Sequence, residues 1–461
     1  MHTYECYKDS GYNWLGKIPI NWSMESFKNI LNERNEKNDP IKTDERLSLS
    51  IDKGVTSYND KTTNLDRFKD DVSQYKLAHK GDLVFNSMNM IVGALGVSNY
   101  YGCVSPVYYT YYSKHNSTKF YEYFFRNKNI QGVLYSMGKG LLAIDRGDGK
   151  YNTLRLKVSR DDLRSFKIPL PPIHEQEAIA NFLDEKTAKI DALVQTKEQQ
   201  IEKLKELRQA KIHQAVTKGL PCHAEPVEAS SKTHALSEVE MKDSGVEWIG
   251  EIPAHWEVKR FANSFSLGKG LTITKEYLRD EGIFCVNYGE IHSKYGFEVN
   301  PEIHPLRCVD TDYLKTSSSS LLEKGDFVFA DTSEDLKGSG NFTYLSSNIK
   351  TFAGYHTVIA KPNNDLNSRF LAYEFDSAKF RSQIQSKVKG VKVFSITQTL
   401  LKTLFIWLPP IQEQEQIVSF LDEVTGKIDQ AIAQKQEQIT KLKEYKQSLI
   451  NDVVTGKVRV C

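Results

Sequence analysis

The sequence predicts an α+β protein in which two mixed α/β domains, related by an approximate two-fold axis, are separated by two long helices that pack antiparallel as a coiled coil. Three observations predict this class. Residues 170–191 and 408–429 are identical at sixteen of twenty-two positions. Both passages continue with apolar residues at helical spacing for about forty positions. The segments between them are short apolar runs divided by Gly, Asn and Asp.

The duplication extends beyond this passage. "KDSGYNWLGKIPINW" from Lys8 returns as "KDSGVEWIGEIPAHW" from Lys242, and "HKGDLVF" at 79–85 returns as "EKGDFVF" at 323–329. The period is far longer than that of a solenoid repeat, so a whole domain with its helix has been duplicated. The predicted segments are a first domain at 1–168, a long helix at 169–218, a linker at 219–241, a second domain at 242–407 and a second long helix at 408–461.

Both long helices have clear start and stop signals. A Pro-Pro pair precedes each first turn, where Glu175 and Glu413 complement the helix dipole. Gly219 and Gly456, each beside a lysine, end the helices. A helix of about 43 residues is about 65 Å long, and its apolar stripe must be buried. The residues predicted to form the coiled coil and to support partner docking are Ile190, Val194, Ile201, Leu204, Ile428, Ile432, Ile439 and Leu442.

The partner that explains these stripes most simply is the duplicate helix, packed antiparallel. Two separate surface helices, each lying on its own domain, are the alternative, and they would explain the stripes without explaining the near-identity of the two passages. The stripes are expected to extend beyond what mutual packing covers, which predicts docking of partner proteins. The linker at 219–241, with two prolines among Ala, Ser and Glu, is predicted to be flexible, with an ordered loop as the alternative.

Positive charge concentrates ahead of each long helix. Residues 379–402 hold six Lys and Arg and no acid, while residues 139–167 hold eight bases against four acids. Clustered cations with glycines suit contact with a phosphate backbone. For one such segment alone, a solvated basic face is the better explanation, but the equivalent position of both segments makes phosphate binding an equal alternative.

Composition and motifs exclude several protein classes. The net charge is +2, hydrophobic residues make up 39% of the chain, and no long apolar run or secretory signal pattern is present, so we expect a cytoplasmic protein without a membrane partner. Six cysteines without a C-x-x-C pair argue against a zinc site. Phosphate-binding, methyltransferase and H-E-x-x-H motifs are missing. The sequence therefore predicts a non-catalytic binding protein with no metal and no cofactor.

"KIPLPPIHEQEAIANFLDEKTAKID", its copy beginning at Trp407, and "DSGVEWIGEIPAHW" resemble the signatures of specificity subunits of type I restriction-modification systems. The resemblance covers the whole chain in the order domain, helix, domain, helix. It implies that each variable domain is a target recognition domain that reads one half of a bipartite sequence in double-stranded DNA, with an unread spacer of fixed length. It also implies that the helices dock two methyltransferase (modification) subunits, which flip and methylate adenines, and that restriction subunits acting as ATP-dependent translocase and endonuclease join the complex.

Candidate DNA-binding residues follow from their positions in loops and at strand ends, where Asn and Arg can read bases and Lys can bind phosphate. In the first domain they are Lys53, Asn86, Ser87, Asn89, Lys139 and Arg146. In the second they are Lys269, Thr272, Asn287, Tyr288, Lys389 and Lys392. Two other functions stay open at this point: a scaffold that pairs two enzyme subunits without reading DNA, and a nuclease fused to a recognition module.

Overall fold

The computed structural model describes residues 2–60, 71–141, 155–220, 240–363, 366–390 and 393–460. The chain folds as two compact units, one of Met1–Glu198 with Gln436–Cys461 and the other of Gln199–Lys435. We call them unit 1 and unit 2. Each unit combines one β-rich domain with the first half of one long helix and the last half of the other.

The first domain and its long helix are built as follows. The strands are β1 (Tyr7–Asp9), β2 (Lys17–Pro19), β3 (Ser23–Ser26), β4 (Asn32–Glu33), β5 (Leu47–Ser50), β6 (Gly54–Ser57), β7 (Lys76–Ala78), β8 (Leu83–Asn86), β9 (Leu95–Val97), β10 (Gly102–Val104), β11 (Tyr108–Tyr112), β12 (Lys139–Leu141), β13 (Arg155–Lys157) and β14 (Lys167–Leu170). The helices are α1 (Phe27–Ile30), α2 (Thr118–Arg126), α3 (Lys128–Met137), α4 (Arg160–Ser165) and the long α5 (Ile173–Lys218).

The second domain and its long helix follow the same plan. The strands are β15 (Met241–Asp243), β16 (Glu251–Pro253), β17 (Glu257–Arg260), β18 (Phe265–Lys269), β19 (Ile283–Val286), β20 (Phe297–Val299), β21 (Arg307–Val309), β22 (Leu321–Leu322), β23 (Phe327–Ala330), β24 (Thr332–Ser333), β25 (Phe342–Leu345), β26 (Thr351–Ala353), β27 (Thr357–Pro362), β28 (Phe394–Ser395) and β29 (Phe405–Leu408). The helices are α6 (Phe261–Ser264), α7 (Tyr288–Ser293), α8 (Tyr313–Thr316), α9 (Ser368–Asp376), α10 (Ala378–Gln385), α11 (Gln398–Lys402) and the long α12 (Ile411–Val454).

The predicted fold class is confirmed: mixed α/β domains alternate along the chain with long helices of 46 and 44 residues. The apolar runs that predicted strands are strands, and the two long helices begin directly after their Pro-Pro pairs. The predicted domain boundaries themselves stay predictions. Of the predicted linker, residues 221–239 lie outside the described residues, and Met241 already belongs to β15.

A sheet with the strand order β4-β11-β8-β9 forms the centre of the first domain, and β18-β27-β23-β25-β20 forms that of the second. The repeated Lys-Gly-Asp motif starts the equivalent strands β8 and β23. Gly81 and Gly325 have φ angles of +90° and +99°, which a glycine adopts without steric strain. Asp82 and Asp326 are buried and accept hydrogen bonds from the backbone amides three residues earlier. The motif is therefore a tight turn that sets the register of the central strand.

The repeated passage ahead of each domain, which begins at Lys8 or at Lys242, forms a hairpin and then a closing strand. Strands β1 and β2 pair in unit 1, as β15 and β16 do in unit 2. The next strand pairs with the strand that leads into the long helix: β3 with β14, and β17 with β29. Each variable domain is thus inserted between two paired strands that bring its first and last residues together.

The same repeated passage, together with Tyr4, binds the start of the long helix in unit 1. Glu175, in the first turn of α5, is buried and accepts hydrogen bonds from the Trp22 indole Nε1 at 2.9 Å and from the Tyr4 hydroxyl at 2.8 Å. The Asn21 side-chain amide also donates to this carboxylate. Trp22 has no exposed surface, so its indole N–H must be satisfied inside the protein.

Unit 2 repeats this contact with fewer donors. Glu413, in the first turn of α12, accepts hydrogen bonds from the Trp256 Nε1 at 3.1 Å and from His255 Nε2 at 2.7 Å. Its carboxylate is about a quarter exposed, at 24%. The two tryptophans and two glutamates of the repeated motifs therefore join segments more than 150 residues apart in sequence.

Further residues of the repeated helix passage hold the domain in place. Gln176 accepts a hydrogen bond from the backbone amide of Ser117, the N-cap of α2. Gln414 makes the equivalent contact with Asn367, the N-cap of α9. Two turns further along each long helix, a tyrosine hydroxyl donates to an aspartate at 2.6 Å, Tyr123 to Asp184 in unit 1 and Tyr373 to Asp422 in unit 2. Burial raises the pKa of both tyrosines, which therefore stay protonated donors at neutral pH.

The halves of the long helices run antiparallel within each unit. In unit 1, Lys446 binds Asp191 at 2.7 Å and Lys197 donates to Gln438 at 2.6 Å. In unit 2, Lys435 donates to Gln200 at 2.7 Å, a contact between the positions equivalent to Gln438 and Lys197. As the residue numbers along α5 increase, those of their partners along α12 decrease. The two helices therefore run antiparallel, as the sequence predicted.

The end of each long helix packs on the tryptophan of the unit's domain. Gly456 and Gly219 have left-handed φ angles of +74° and +75°, as the predicted helix stops require. A Cβ atom at Gly456 would overlap Pro19 and lie 3.2 Å from the Trp22 ring. A Cβ atom at Gly219 would lie 3.7 Å from the Trp256 ring. Each tryptophan therefore contacts the end of one long helix and binds the start of the other.

One buried pair differs between the units. Glu374 in α9 is fully buried, and its Oε1 accepts a hydrogen bond from the Trp407 backbone amide at 2.9 Å. Within the described residues, its Oε2 has no hydrogen-bond partner. Burial raises the pKa of Glu374 well above its ordinary value. The equivalent residues of unit 1 are Phe124 and Pro169. Phe124 has no side-chain acceptor, and Pro169 has no backbone N–H to donate.

We expect Glu175→Ala to destabilise the protein more than Glu413→Ala. The first substitution removes the acceptor of the buried Trp22 and Tyr4 side chains, and the second removes that of the buried Trp256 and the exposed His255, which predicts losses of about 3 and about 1–2 kcal/mol. Urea denaturation of the full chain, followed by tryptophan fluorescence, measures both midpoints. Because both variants lose one acid from a first helical turn, equal midpoints would contradict the role assigned to the buried donors.

We expect Glu374→Gln to raise the melting temperature at pH 8, by roughly 2–4 °C for each kcal/mol gained. The raised pKa means that the folded state holds a proton that the unfolded state releases above its ordinary pKa, so the wild-type protein loses stability as the pH rises from there toward the folded pKa. Glutamine keeps an acceptor for the Trp407 amide and does not ionise. Melting curves between pH 4.5 and 8 should therefore converge at the acidic end, and a constant difference would contradict a protonated Glu374.

Candidate nucleic-acid interface

Two candidate DNA-contacting regions meet in each domain. In the first domain, the Val158 backbone amide donates to the Ser87 carbonyl at 3.2 Å. In the second, the Ile396 amide donates to the Asp331 carbonyl at 2.8 Å. Ser87 and Asp331 open the loops that follow the central strands β8 and β23, while Val158 and Ile396 lie in the basic segments. The strand-end loop and the basic segment are therefore held together by an equivalent hydrogen bond in both units.

Short strand pairs extend these contacts. In the first domain, β12 pairs with β13 and places Lys139 opposite Lys157. In the second domain, β24 pairs with β28 and places Thr332 of the strand-end loop opposite Ser395. Lysines therefore lie close to the end of the central sheet in the first domain, and in the second a strand of the basic segment pairs directly with the strand-end loop.

The first-domain candidates lie at three places. Lys53 is exposed in the turn between β5 and β6. Asn86 ends β8 and is half-buried, while Asn89 is exposed in the strand-end loop. Lys139 is exposed at the start of β12, and its Nζ lies 3.1 Å from Asp162. Arg146 lies outside the described residues.

The second-domain candidates gather around the turn 354–357, apart from the two basic-segment lysines. Gly270, between the exposed Lys269 and Thr272, packs so closely on this turn that a Cβ atom would overlap the Gly354 carbonyl. Tyr288 is half-buried, with its ring centroid 5.7 Å from that of Tyr355. Lys389 is exposed in the segment that leads to β28, and Lys392 lies outside the described residues.

Two candidates are buried and have structural contacts. Ser87 has no exposed surface. Asn287 is only 2% exposed and caps α7, where its backbone amide donates to Glu290 at 2.7 Å. Their side chains are not presented at the surface of the structure, and we do not carry them into the proposal below.

A groove of about 1060 Å³ lies in unit 2 beside the second-domain candidate Tyr288. Its lining includes Tyr288 and His292 of α7, the strand-end loop from Thr332 to Gly338, and Arg381 of α10. His292 is fixed by a contact of its Nε2 with the Thr332 carbonyl at 2.8 Å, and of its Nδ1 with the Asn341 side chain at 2.8 Å. The groove is also lined by the carboxylates of Glu334, Asp335 and Asp376, and Asp376 binds the Arg381 guanidinium at 3.2 Å.

The loop from Thr332 to Gly338 was not among the sequence-predicted residues. The signal that could have found it is the repeated Lys-Gly-Asp motif, because this loop follows β23 as Ser87 and Asn89 follow β8. Because the loop is longer in the second domain, the two loops correspond in their position after the motif and not in their residue types.

The eight predicted coiled-coil residues divide by burial. Ile190, Val194, Ile201, Ile428 and Ile439 are buried, whereas Leu204, Ile432 and Leu442 are half-buried. Other apolar residues of the long helices are exposed: Leu193 at 51%, Leu207 at 44% and Tyr445 at 51%. The apolar surface of the helices therefore exceeds what their packing covers.

A family comparison decides what this architecture belongs to. The model for the type I restriction modification DNA specificity domain matches residues 19–203 and 253–441, one match for each repeat. The chain belongs to this family. Each match begins in the hairpin or closing-strand region and includes most of the long helix that follows.

Curated relatives from Methanocaldococcus jannaschii agree with this membership. The putative type I restriction enzyme MjaX specificity subunit is 24% identical over 97% of this chain and 96% of its own length. The type I restriction enzyme MjaVIII specificity subunit is 25% identical over 66% of this chain and 64% of its own length, so that match spans just under two thirds of the relative. Both relatives are named as specificity subunits of type I restriction enzymes.

A solved structure of the type I restriction-modification system, concerned with complex assembly and conformational transition, contains a chain with the same fold. Its TM-score is 0.66 at 16% identity, over 96% of this chain and 99% of that chain. Within the described ranges, no group of three or more His, Cys, Asp or Glu is placed to hold a metal ion. None of the helices in the described part of the chain combines the length and the apolar character that a membrane span requires.

Proposed function

We propose that this chain is the DNA-specificity subunit of a type I restriction-modification complex and that it reads a bipartite target. The observation that carries the proposal is the meeting of a strand-end loop with a basic segment in both domains, through equivalent backbone hydrogen bonds. Lysines and arginines beside a sheet end can bind phosphates, and polar loop residues can reach base edges in a groove. Two such domains in one chain read two separate half-sites.

The long helices give the target its spacer. Helices of 46 and 44 residues resist bending, so the distance between the half-sites follows from helix length, as dimer geometry sets half-site spacing in repressors. The exposed Leu193, Leu207 and Tyr445 support docking of two modification subunits along the helices. Restriction subunits join that assembly, and methylation and cleavage take place in the partners.

The first experiment is co-expression with the modification subunit encoded beside it, followed by mapping of methylated adenines by single-molecule sequencing. Methylation confined to one bipartite motif with a constant spacer is the expected result. Methylation that is unchanged when this chain is omitted, or that falls on a continuous site, would instead support a scaffold that pairs enzyme subunits without reading DNA.

Lys389→Ala is expected to weaken DNA binding by the assembled complex about equally across sequences. Loss of one phosphate contact should also reduce the slope of log affinity against log salt by about 0.9. Filter binding to specific and unrelated duplexes at several salt concentrations measures both effects.

The matched control is Lys324→Ala in the Lys-Gly-Asp turn, at the opposite end of β23 from the strand-end loop. Both lysines are exposed, and each substitution removes one positive charge from the surface. An identical loss of affinity in the two variants would contradict a local phosphate contact at Lys389.

A further inference from the structure

The turn between β26 and β27 contains a histidine in an unusual backbone conformation. His356 has a φ angle of +55°, in the left-handed region that side chains disfavour and glycine adopts freely. Its side chain is 56% exposed, so burial of the imidazole in the core does not explain its presence. Strained backbone at an exposed position is typical of a functional residue.

A neighbouring aspartate holds the ring of this histidine. The His356 Nδ1 lies 3.2 Å from Asp331 Oδ1, and the Asp331 backbone amide donates to the His356 carbonyl at 3.0 Å. A carboxylate only accepts hydrogen bonds, so Nδ1 carries the hydrogen in this pair. The remaining ring nitrogen, Nε2, is then the atom that can bond to a ligand.

The histidine lies among the candidate DNA-contacting residues of unit 2. Its ring centroid is 5.3 Å from that of Tyr288, which lines the groove, and 6.0 Å from that of Tyr355. Asp331 begins the strand-end loop and accepts the hydrogen bond from Ile396 of the basic segment. Gly270, beside Lys269, packs on the same turn. The imidazole therefore lies beside the strand-end loop and next to Tyr288, a residue of the groove lining.

The first domain has no equivalent pair. Strand register matches Phe85 and its partner Tyr109 with Phe329 and its partner Val358. Two residues before Tyr109, Val107 occupies the position of His356. Two residues after Phe85, Ser87 occupies that of Asp331. Val107 is also exposed, at 46%, but it offers no hydrogen-bonding atom in its side chain. The two domains therefore differ at this defined position beside the strand-end loop.

We propose that His356, oriented by Asp331, determines base specificity in the half-site read by the second domain, through a hydrogen bond between its ring Nε2 and a base edge in the major groove. This inference rests on the proposed function. The first domain reads its half-site without such a contact, so the two half-sites differ in what is recognised at the equivalent position. Tyr288 and Tyr355 support the ring from the protein side.

The test uses His356→Gly, His356→Asn and Val107→Ala in the full chain, assembled with the modification subunit. Glycine adopts the left-handed φ without strain and asparagine tolerates it, so both His356 variants should melt at or above the wild-type temperature. Methylation rates are measured on duplexes that differ from the mapped target at single positions. His356→Gly should reduce discrimination roughly 10- to 100-fold at one or two adjacent positions of one half-site only.

Asparagine should change the preferred base at those positions, and Val107→Ala should leave every preference of the wild-type complex in place. If the wild-type complex shows no bipartite motif, the proposed function fails and this inference fails with it. If the motif is present but His356→Gly leaves both half-sites unchanged, or relaxes both equally, only the role of His356 is overturned. A lower melting temperature for His356→Gly, or loss of all methylation in that variant, would assign the histidine to the turn itself and would also overturn the proposal.

Discussion

The hydrogen bond from a buried tryptophan indole to the glutamate in the first turn of a long helix is the contact on which this architecture depends. It joins Trp22 to Glu175 in unit 1 and Trp256 to Glu413 in unit 2. Both partners belong to the repeated motifs, one ahead of each domain and one after it. Since a buried N–H without an acceptor is strongly unfavourable, neither motif can change independently of the other. The repeated passages are thus two parts of one site.

This frame explains why the sequence between the motifs is free to differ. The paired strands β3 and β14, or β17 and β29, close the domain at its base, while Gln176 and Gln414 bind the first residues of a domain helix. The interior then adapts locally. Glu374 with the Trp407 amide in one unit and Phe124 with Pro169 in the other show a donor and an acceptor replaced together. Such a pair of changes avoids a buried polar group without a partner.

The candidate DNA surface lies at the strand end where variation is tolerated. Loops at a sheet end are positioned by the strands but do not determine their packing, so they can change without loss of the fold. The first domain presents Asn89 there, and the second presents a longer loop with Asp331 and His356. A shared frame with different loops is the arrangement that the proposed reading of two half-sites requires.

The sequence by itself determined the duplication, the long helices with their start and stop residues, and the strands of each domain, because periodicity, proline and glycine act locally along the chain. It also placed positive charge ahead of each helix. Only the tertiary structure decided that Ser87 and Asn287 are buried, that the Thr332 to Gly338 loop lines a groove, and that Asp331 holds His356. Burial and side-chain pairing depend on residues far apart in sequence, and a left-handed histidine leaves no local signal in its neighbours. For the same reason Glu175 and Glu413 suggested only a helix dipole, whereas their main partners are tryptophans more than 150 residues earlier.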